Sequence, residues 1–434
     1  MRFPHPPTLA QAFSSRANSV GFLRLVLATS VLVAHSAPLG LGAPNFLGKE
    51  THNQADLGAL GVLGFFVLSG FLITASGLRF GVGRFAWHRF LRIFPGLWAC
   101  LLVTTLVLAP LVTLHEHGTL AGFWQEPHGP LTYLRGNWWT ALRTAGIHDV
   151  FATTTYGKLT GGASVINGSL WSLAYELCCY ILVGALAFAG VLKRSPRLVL
   201  ILVAWVYLVI LGDALQEFRK GNFRPTASGH PAFGPFPFIG TIGLDTMLPL
   251  LLMFLLGAAF QLFKDRVPMH PWLLAGAGVV AVGTALTGGF VVVGLPAYAY
   301  LLIGAACYLP KWLQGVGRKR DYSYGIYIYA FPMQQLVALL VGARYGIVAY
   351  MLMSFAAAAV LAALSWHAVE RPAMLLKDWT PPLPRWRLFD RWRREPVAAP
   401  SSGSSAPSAS TETETEPETE PVSAVRGADR VGST

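Results

Sequence analysis

The chain has 434 residues, of which 53% are hydrophobic and only 12% charged. A composition this apolar at this length excludes a soluble globular protein, because the apolar residues fall in blocks of near membrane-spanning length. The formal charge of +12 would suggest nucleic acid in a soluble chain. Here the basic residues sit in short segments between apolar blocks, so a bilayer explains them better and no nucleic-acid partner is expected.

In chain order, ten segments read as helices: 20–40, 57–77, 93–114, 170–191, 197–213, 241–263, 272–288, 290–309, 323–341 and 346–367. Gly and Pro interrupt 272–288 and 290–309. The expected fold is therefore all-α, a polytopic transmembrane helical bundle of about ten spans. Residues 1–19 form a cytoplasmic N-terminal segment, 20–375 the transmembrane domain and 376–434 a cytoplasmic tail. Beyond about Glu395 that tail is rich in Ser, Thr, Glu and Pro and lacks core formers, so disorder is expected. With the N-terminus inside, the inward segments carry 25 Lys and Arg against 8 in the outward ones, and 16 against 8 without the tail. That asymmetry puts both termini in the cytoplasm and the protein in the cell inner membrane. A competing reading is a signal peptide ending VLVAHSA, preceded by Arg2 and Arg16. Cleavage there would remove His35 or strand it at the chain end, and an even number of spans needs this helix retained.

Two outward stretches exceed what simple turns need. Residues 115–169 carry Trp124, Trp138 and Trp139; they read as interfacial or re-entrant helices around a substrate cleft, or as an aromatic belt. Residues 214–240 are rich in Pro and Gly and carry Arg219, Lys220 and Arg224. Cys100, Cys178, Cys179 and Cys307 all lie in apolar runs, with no spacing for zinc and no extracellular pair.

The first span reads RLVLATSVLVAH from Arg24 to His35. Eleven helical steps come to roughly 1100°, three turns plus about 20°, so both side chains share one face about 16 Å apart along the axis. Ionisable groups within a span are costly and usually face a protein-lined or watery interior. In RFGVGRFAWHRFLRIFP, Arg89 and Arg92 stand three apart and also share a face, a fork suited to phosphate; the alternative is a plain positive-inside anchor. In NGSLWSLAYELCCY, Glu176 has Ser172 four before it and Tyr180 four after. The carboxylate reads as a group that orients or charges His35, or as a structural hydrogen-bonded carboxyl near the interface. Asp245 is a weaker candidate, and Asp213 marks a helix end. The tyrosines of DYSYGIYIYAFPMQQ read as boundary anchors. Ser69-Gly70 in FFVLSGFLIT reads as a site of close helix contact. No nucleophile elbow, Walker loop or metal motif is present.

In this order the segments resemble the acyltransferase 3 family of integral membrane O-acyltransferases. The likeness is carried by Arg24 with ten residues before His35, FFVLSGFLIT, Arg89-x-x-Arg92 with Ile93 and Pro95, SLWSLAYE, DYSYGIYIYAFP and Glu370-Arg371-Pro372. The chain departs from many members in LCCY after Glu176 and in lacking an SGNH-type esterase domain, which implies a stand-alone membrane domain or a separate partner. The resemblance implies an acyl-CoA donor, most simply acetyl-CoA, at the inward face, its phosphates held by Arg24, Arg89 and Arg92. It implies His35 as general base toward a sugar hydroxyl, or as carrier of the acyl group, with Glu176 assisting and no metal. The acceptor would be a sugar of a surface glycan, glycolipid or natural product. Alternatives are a flippase of lipid-linked sugar, or an acyltransferase acting on a small glycosylated natural product in the cytoplasm.

Overall fold

The computed structural model describes residues 6–379 apart from 52, 163–164 and 222–228; the disorder expected of the tail beyond 395 lies outside the described residues. All ten expected segments are helical. We number them α1 (Val20–Leu41), α2 (Leu57–Arg79), α3 (Val82–His117), α4 (Gly168–Phe188), α5 (Arg197–Arg219), α6 (Leu244–Leu262), α7 (Pro271–Thr287), α8 (Phe290–Tyr308), α9 (Ser323–Leu340) and α10 (Ile347–Asp378). Eight of these, all but α7 and α9, are long and apolar enough to cross a bilayer. The protein is an all-α, multi-pass membrane protein. Leu198, Ile201, Trp205 and Leu208 on α5 point out of the bundle and are exposed, as a lipid-facing surface would be.

Three features depart from the expectation. α3 starts at Val82 rather than 93 and runs through a π-helical turn at Thr104–Leu108 to His117. α5 continues six residues past Asp213, to Arg219, so Asp213 is not a helix end. Residues 232–243 also form an antiparallel hairpin, β1 (Ala232–Phe236) with β2 (Gly240–Gly243), pairing Ala232 with Gly243 and Phe233 with Ile242. The 115–169 segment contains short helices at Pro130–Asn137 and Thr155–Leu159. Trp138 ties it to the bundle by stacking on Trp98 of α3 at 5.1 Å, where the Trp98 indole N–H also donates to the Trp138 carbonyl.

The centre of the bundle is α2 against α6. A Cβ on Gly70 would stand 1.9 Å from the Phe254 carbonyl oxygen, and one on Gly257 would stand 2.1 Å from that of Val67. Each glycine thus accepts the other helix's backbone, the close contact read from Ser69-Gly70, with its partner on α6. No side chain can move aside from a carbonyl. Gly70→Val should therefore cost more than the ~1–3 kcal/mol typical of an overpacked core, and it should appear as loss of the monodisperse species in size-exclusion chromatography. A folded Gly70→Val protein with unchanged melting temperature would contradict this packing.

α1 lies between α2 and α9. Gln334 of α9, fully buried, donates to the Leu32 carbonyl and to Ser36 Oγ, both at 2.8 Å. Its backbone carbonyl accepts from the Tyr350 hydroxyl of α10 at 2.9 Å. These bonds clamp α1 on both sides of His35. Pro38 then lacks the N–H that would close on the Ala34 carbonyl, which loosens the helix just beyond the imidazole. α1 ends at Gly42 in the left-handed conformation, φ +66°.

Candidate active site

Two of the cavities formed by the described residues divide the expected site residues between them. The inner one, about 90 Å³, is lined by Arg24, Arg89, Arg92, Ser69, Ser172, Glu176 and Tyr180, with Phe65, Phe66 and Tyr324. All three arginines and the carboxylate meet there, and Ser172, Glu176 and Tyr180 share the face that their spacing implies. Glu176 accepts from the Tyr180 hydroxyl and, at 3.2 Å, from Ser69 Oγ. Arg89 sits over the Tyr180 ring at 5.8 Å, and its buried Nε has no partner among the described residues.

Arg24 and Arg92 are not free. Both donate to one oxygen of Asp321, at 2.6 and 2.7 Å, so a single carboxylate joins α1 and α3 just before α9 begins. The other Asp321 oxygen accepts from the backbone N–H of Ser323 at 3.2 Å and from its hydroxyl. Burial alone would raise the Asp321 pKa; the two guanidinium groups and the Ser323 donors overcome it and hold the carboxyl down at about 2. Asp321 went unremarked in the sequence, although it opens DYSYGIYIYAFP. A carboxylate at the start of a span is a signal, but its partners lie 297 and 229 residues away.

The outer cavity is larger, about 410 Å³, and opens where the end of α1, the start of α2, the end of α5 and the start of α6 meet. His35 lines it, with Asn45, Asn53, Gln54, Asp56, Trp171, Asp213, Asp245 and Phe290. The His35 ring packs edge-on against Phe331 with centroids 5.2 Å apart, and its Nδ1 is buried with no hydrogen-bond partner among the described residues. Asp56 caps α2 by accepting from the Ala59 N–H at 2.9 Å and faces the same cavity. His230 bridges α5 and the first turn of α6, with Nδ1 2.9 Å from Asp245 and Nε2 3.5 Å from Asp213. Both aspartates line this cavity.

No hydrogen bond joins His35 to Glu176; they stand in different cavities. What the cavities share is a wall of Val62 and Tyr327. Tyr327 is buried, its hydroxyl 2.7 Å from Ser172 Oγ and its ring 5.7 Å from Phe65. Tyr324 and Tyr329 are buried as well, and Tyr324 donates to the Ile93 carbonyl at 2.8 Å. These tyrosines are core and cavity wall, not boundary anchors: α9 runs through the middle of the bundle, which a tyrosine-rich sequence does not reveal. Chemically, the arrangement offers a cationic chamber at one end, an imidazole in a polar chamber at the other, and one tyrosine between them.

The model of the family described as "Acyltransferase domain" matches residues 18–367. The chain is similar to a protein named "O-acetyl transferase" from Shigella phage Sf6, with 27% identity over 381 residues, 82% of this chain and 96% of that one. It is also similar to "Nodulation protein 10" from Rhizobium leguminosarum bv. viciae, 29% identical over 387 residues, 84% of this chain and 95% of that one. No solved structure matches.

Proposed function

The chain belongs to the acyltransferase domain family and is an O-acetyltransferase-type enzyme of the membrane; from that premise we propose that it moves an acetyl group from acetyl-CoA to a sugar hydroxyl. The donor meets the cytoplasmic face, and the acceptor is a surface glycan or glycolipid at the outer cavity. The observation that carries this reading is the division of the bundle into a cationic inner chamber and a polar outer one that meet at Tyr327. Basic residues concentrate on the inward side of the spans, which supports donor access from the cytoplasm.

In this reading the donor's diphosphate lies against Arg24, Arg89 and Arg92. Arg89 supplies the unpaired guanidinium, while Asp321 holds the other two in place. The thioester arm passes between Phe65, Phe66 and Tyr327, where apolar walls limit hydrolysis. His35 then takes the proton from the acceptor hydroxyl as the hydroxyl oxygen attacks the thioester carbonyl and CoA leaves as thiolate, which receives a proton in turn. The cluster of Asn, Gln and Asp side chains around Trp171 is the chemistry that binds a sugar, with planar polar groups for hydroxyls and a ring for the apolar face of the pyranose. Asp56, the carboxylate lining the His35 cavity near the start of α2, is placed to steady the imidazolium formed in transfer; Glu176 acts on the donor side. A flippase of lipid-linked sugar would need the outer chamber but not the arginine chamber.

The test is turnover of labelled acetyl-CoA by the purified protein, with label recovered in an alkali-labile ester on the glycan or lipid fraction. Absence of CoA release with acceptor present would refute the reading and favour the flippase. Glu176→Gln should keep the fold, because the amide keeps the acceptor oxygen for Tyr180. It should lower kcat/KM for the donor at least tenfold, about 1.4 kcal/mol, because the negative charge lining the arginine cavity is gone. Intact turnover in Glu176→Gln together with a destabilised Glu176→Ala would make the carboxylate purely structural.

A further inference from the structure

A third cavity lies on the Arg24 side of the bundle, a cleft of about 250 Å³ between the start of α1 and the loop before α9. Its floor is glycine against glycine. A Cβ on Gly21 would stand 2.3 Å from the Val316 carbonyl oxygen, and one on Gly317, whose φ is +72°, would stand 2.8 Å from Gly21 Cα. Ser19 fixes the approach by donating its backbone N–H to the Ala306 carbonyl at 2.9 Å. The close contact places Arg16 and Arg318 on the rims of one cleft with Arg24 deeper in it. Arg16 and Arg318 are exposed and form no salt bridge among the described residues. Arg24 and Leu72 line both this cleft and the inner cavity, so the two spaces adjoin there.

We propose that this cleft is the binding site for the donor's 3′-phosphate, with Arg16 and Arg318 as its ligands; the inference rests on the acyl-CoA reading above. The donor carries two separated anionic groups, and the protein presents two separated sets of cations along one path. The inner set is already half neutralised by Asp321 and encloses about 90 Å³, too little for an adenosine with its phosphates. The outer set is unpaired, roomier and open to solvent. Two unpaired guanidinium groups lining one cleft, whose carboxylate Asp321 is already taken up by Arg24 and Arg92, suit a phosphate monoester, which takes charge-assisted hydrogen bonds on several oxygens. An anionic lipid headgroup offers the same chemistry. The shared lining at Arg24 and Leu72, which sets this cleft directly beside the arginine cavity, favours the donor.

The experiment compares acetyl-CoA with acetyl-dephospho-CoA, which lacks only the 3′-phosphate, on the full-length protein in detergent. The wild type should use acetyl-CoA with a kcat/KM on the order of tenfold or more higher, as one to two charge-assisted contacts would give. In Arg16→Gln/Arg318→Gln that ratio should fall toward one. A Lys319→Gln/Arg320→Gln control removes the same charge from residues outside the cleft lining and should keep it. Both arginines are exposed, so folding should survive, and the wild-type comparison needs no variant. Equal use of both donors by the wild type, or an undiminished ratio in the double variant, overturns the site while leaving the acyl-CoA reading intact. Transfer from neither donor overturns both. Turnover that instead rises with phosphatidic acid in nanodiscs, falls in the double variant and ignores the 3′-phosphate would make the cleft a lipid site.

Discussion

His35→Ala should reduce acetyl transfer to background while donor binding stays measurable. The imidazole is the one histidine lining the outer cavity among the described residues; His230, which pairs with two of the cavity's aspartates, is engaged by Asp213 and Asp245. A positioned base contributes on the order of 10²–10⁴-fold. The loss should be at the upper end, because Asp56 caps α2 and cannot swing to replace the ring. Structure should be spared. Gln334 grips α1 through Leu32 and Ser36, not through His35, whose Nδ1 makes no bond to lose. The measurement is single-turnover transfer beside isothermal titration of the donor on samples of equal monodispersity. Retained transfer in His35→Ala would remove the imidazole from the mechanism.

Asp321→Asn should be the most damaging substitution on the donor side. It leaves two half-buried guanidinium groups side by side with no counter-charge; breaking a fully buried pair by removing one partner costs about 3–5 kcal/mol, an upper bound for this partly exposed cluster. The pH dependence follows from the sign of the Asp321 shift. Its native pKa is depressed to about 2, so its stabilisation is complete above the ordinary carboxylate range. It fades as pH falls from about 4 toward 2, where the carboxyl takes up its proton. The melting temperatures of wild type and Asp321→Asn should thus differ most at neutral pH and converge in acid. Asp321→Glu, which keeps the charge on a longer arm, should recover part of the difference. A gap that stays constant from pH 7 to 3 would mean that the carboxylate acts through hydrogen-bond geometry rather than charge.

How far the chain could be read without coordinates depended on distance along it. Helices announced themselves because a bilayer demands long apolar blocks, and the convergence of Arg89 with Arg92, and of Ser172, Glu176 and Tyr180, followed from helical periodicity alone. The Ser69-Gly70 contact was legible as a small-residue site, but its reciprocal glycine, Gly257, was not. Glu176 and His35 looked like natural partners because each needed one. The rotation of α4 turns the carboxylate toward Ser69 and Tyr180, and that angle is set by packing. Asp321 and Asp56 were missed for the same reason. Each sits at a helix start, where an aspartate reads as a cap, and only the fold shows what else it faces. Tyr327 was misread because tyrosine near an apolar block is usually interfacial; here α9 is so enclosed that the ring becomes the wall between two chambers.

The central claim is sidedness: donor at the arginine chamber, acceptor at the His35 chamber. It is tested most directly by supplying membrane-impermeant labelled acetyl-CoA to sealed vesicles of opposite orientation, prepared from cells that make the protein and its acceptor. Inside-out vesicles, which on the proposed orientation present the Arg24 side to the medium, should incorporate acetyl ester into their glycan or lipid fraction, and vesicles carrying His35→Ala should not. Right-side-out vesicles should incorporate none until they are permeabilised. Equal incorporation in both orientations, or incorporation only from the right-side-out face, would contradict the account.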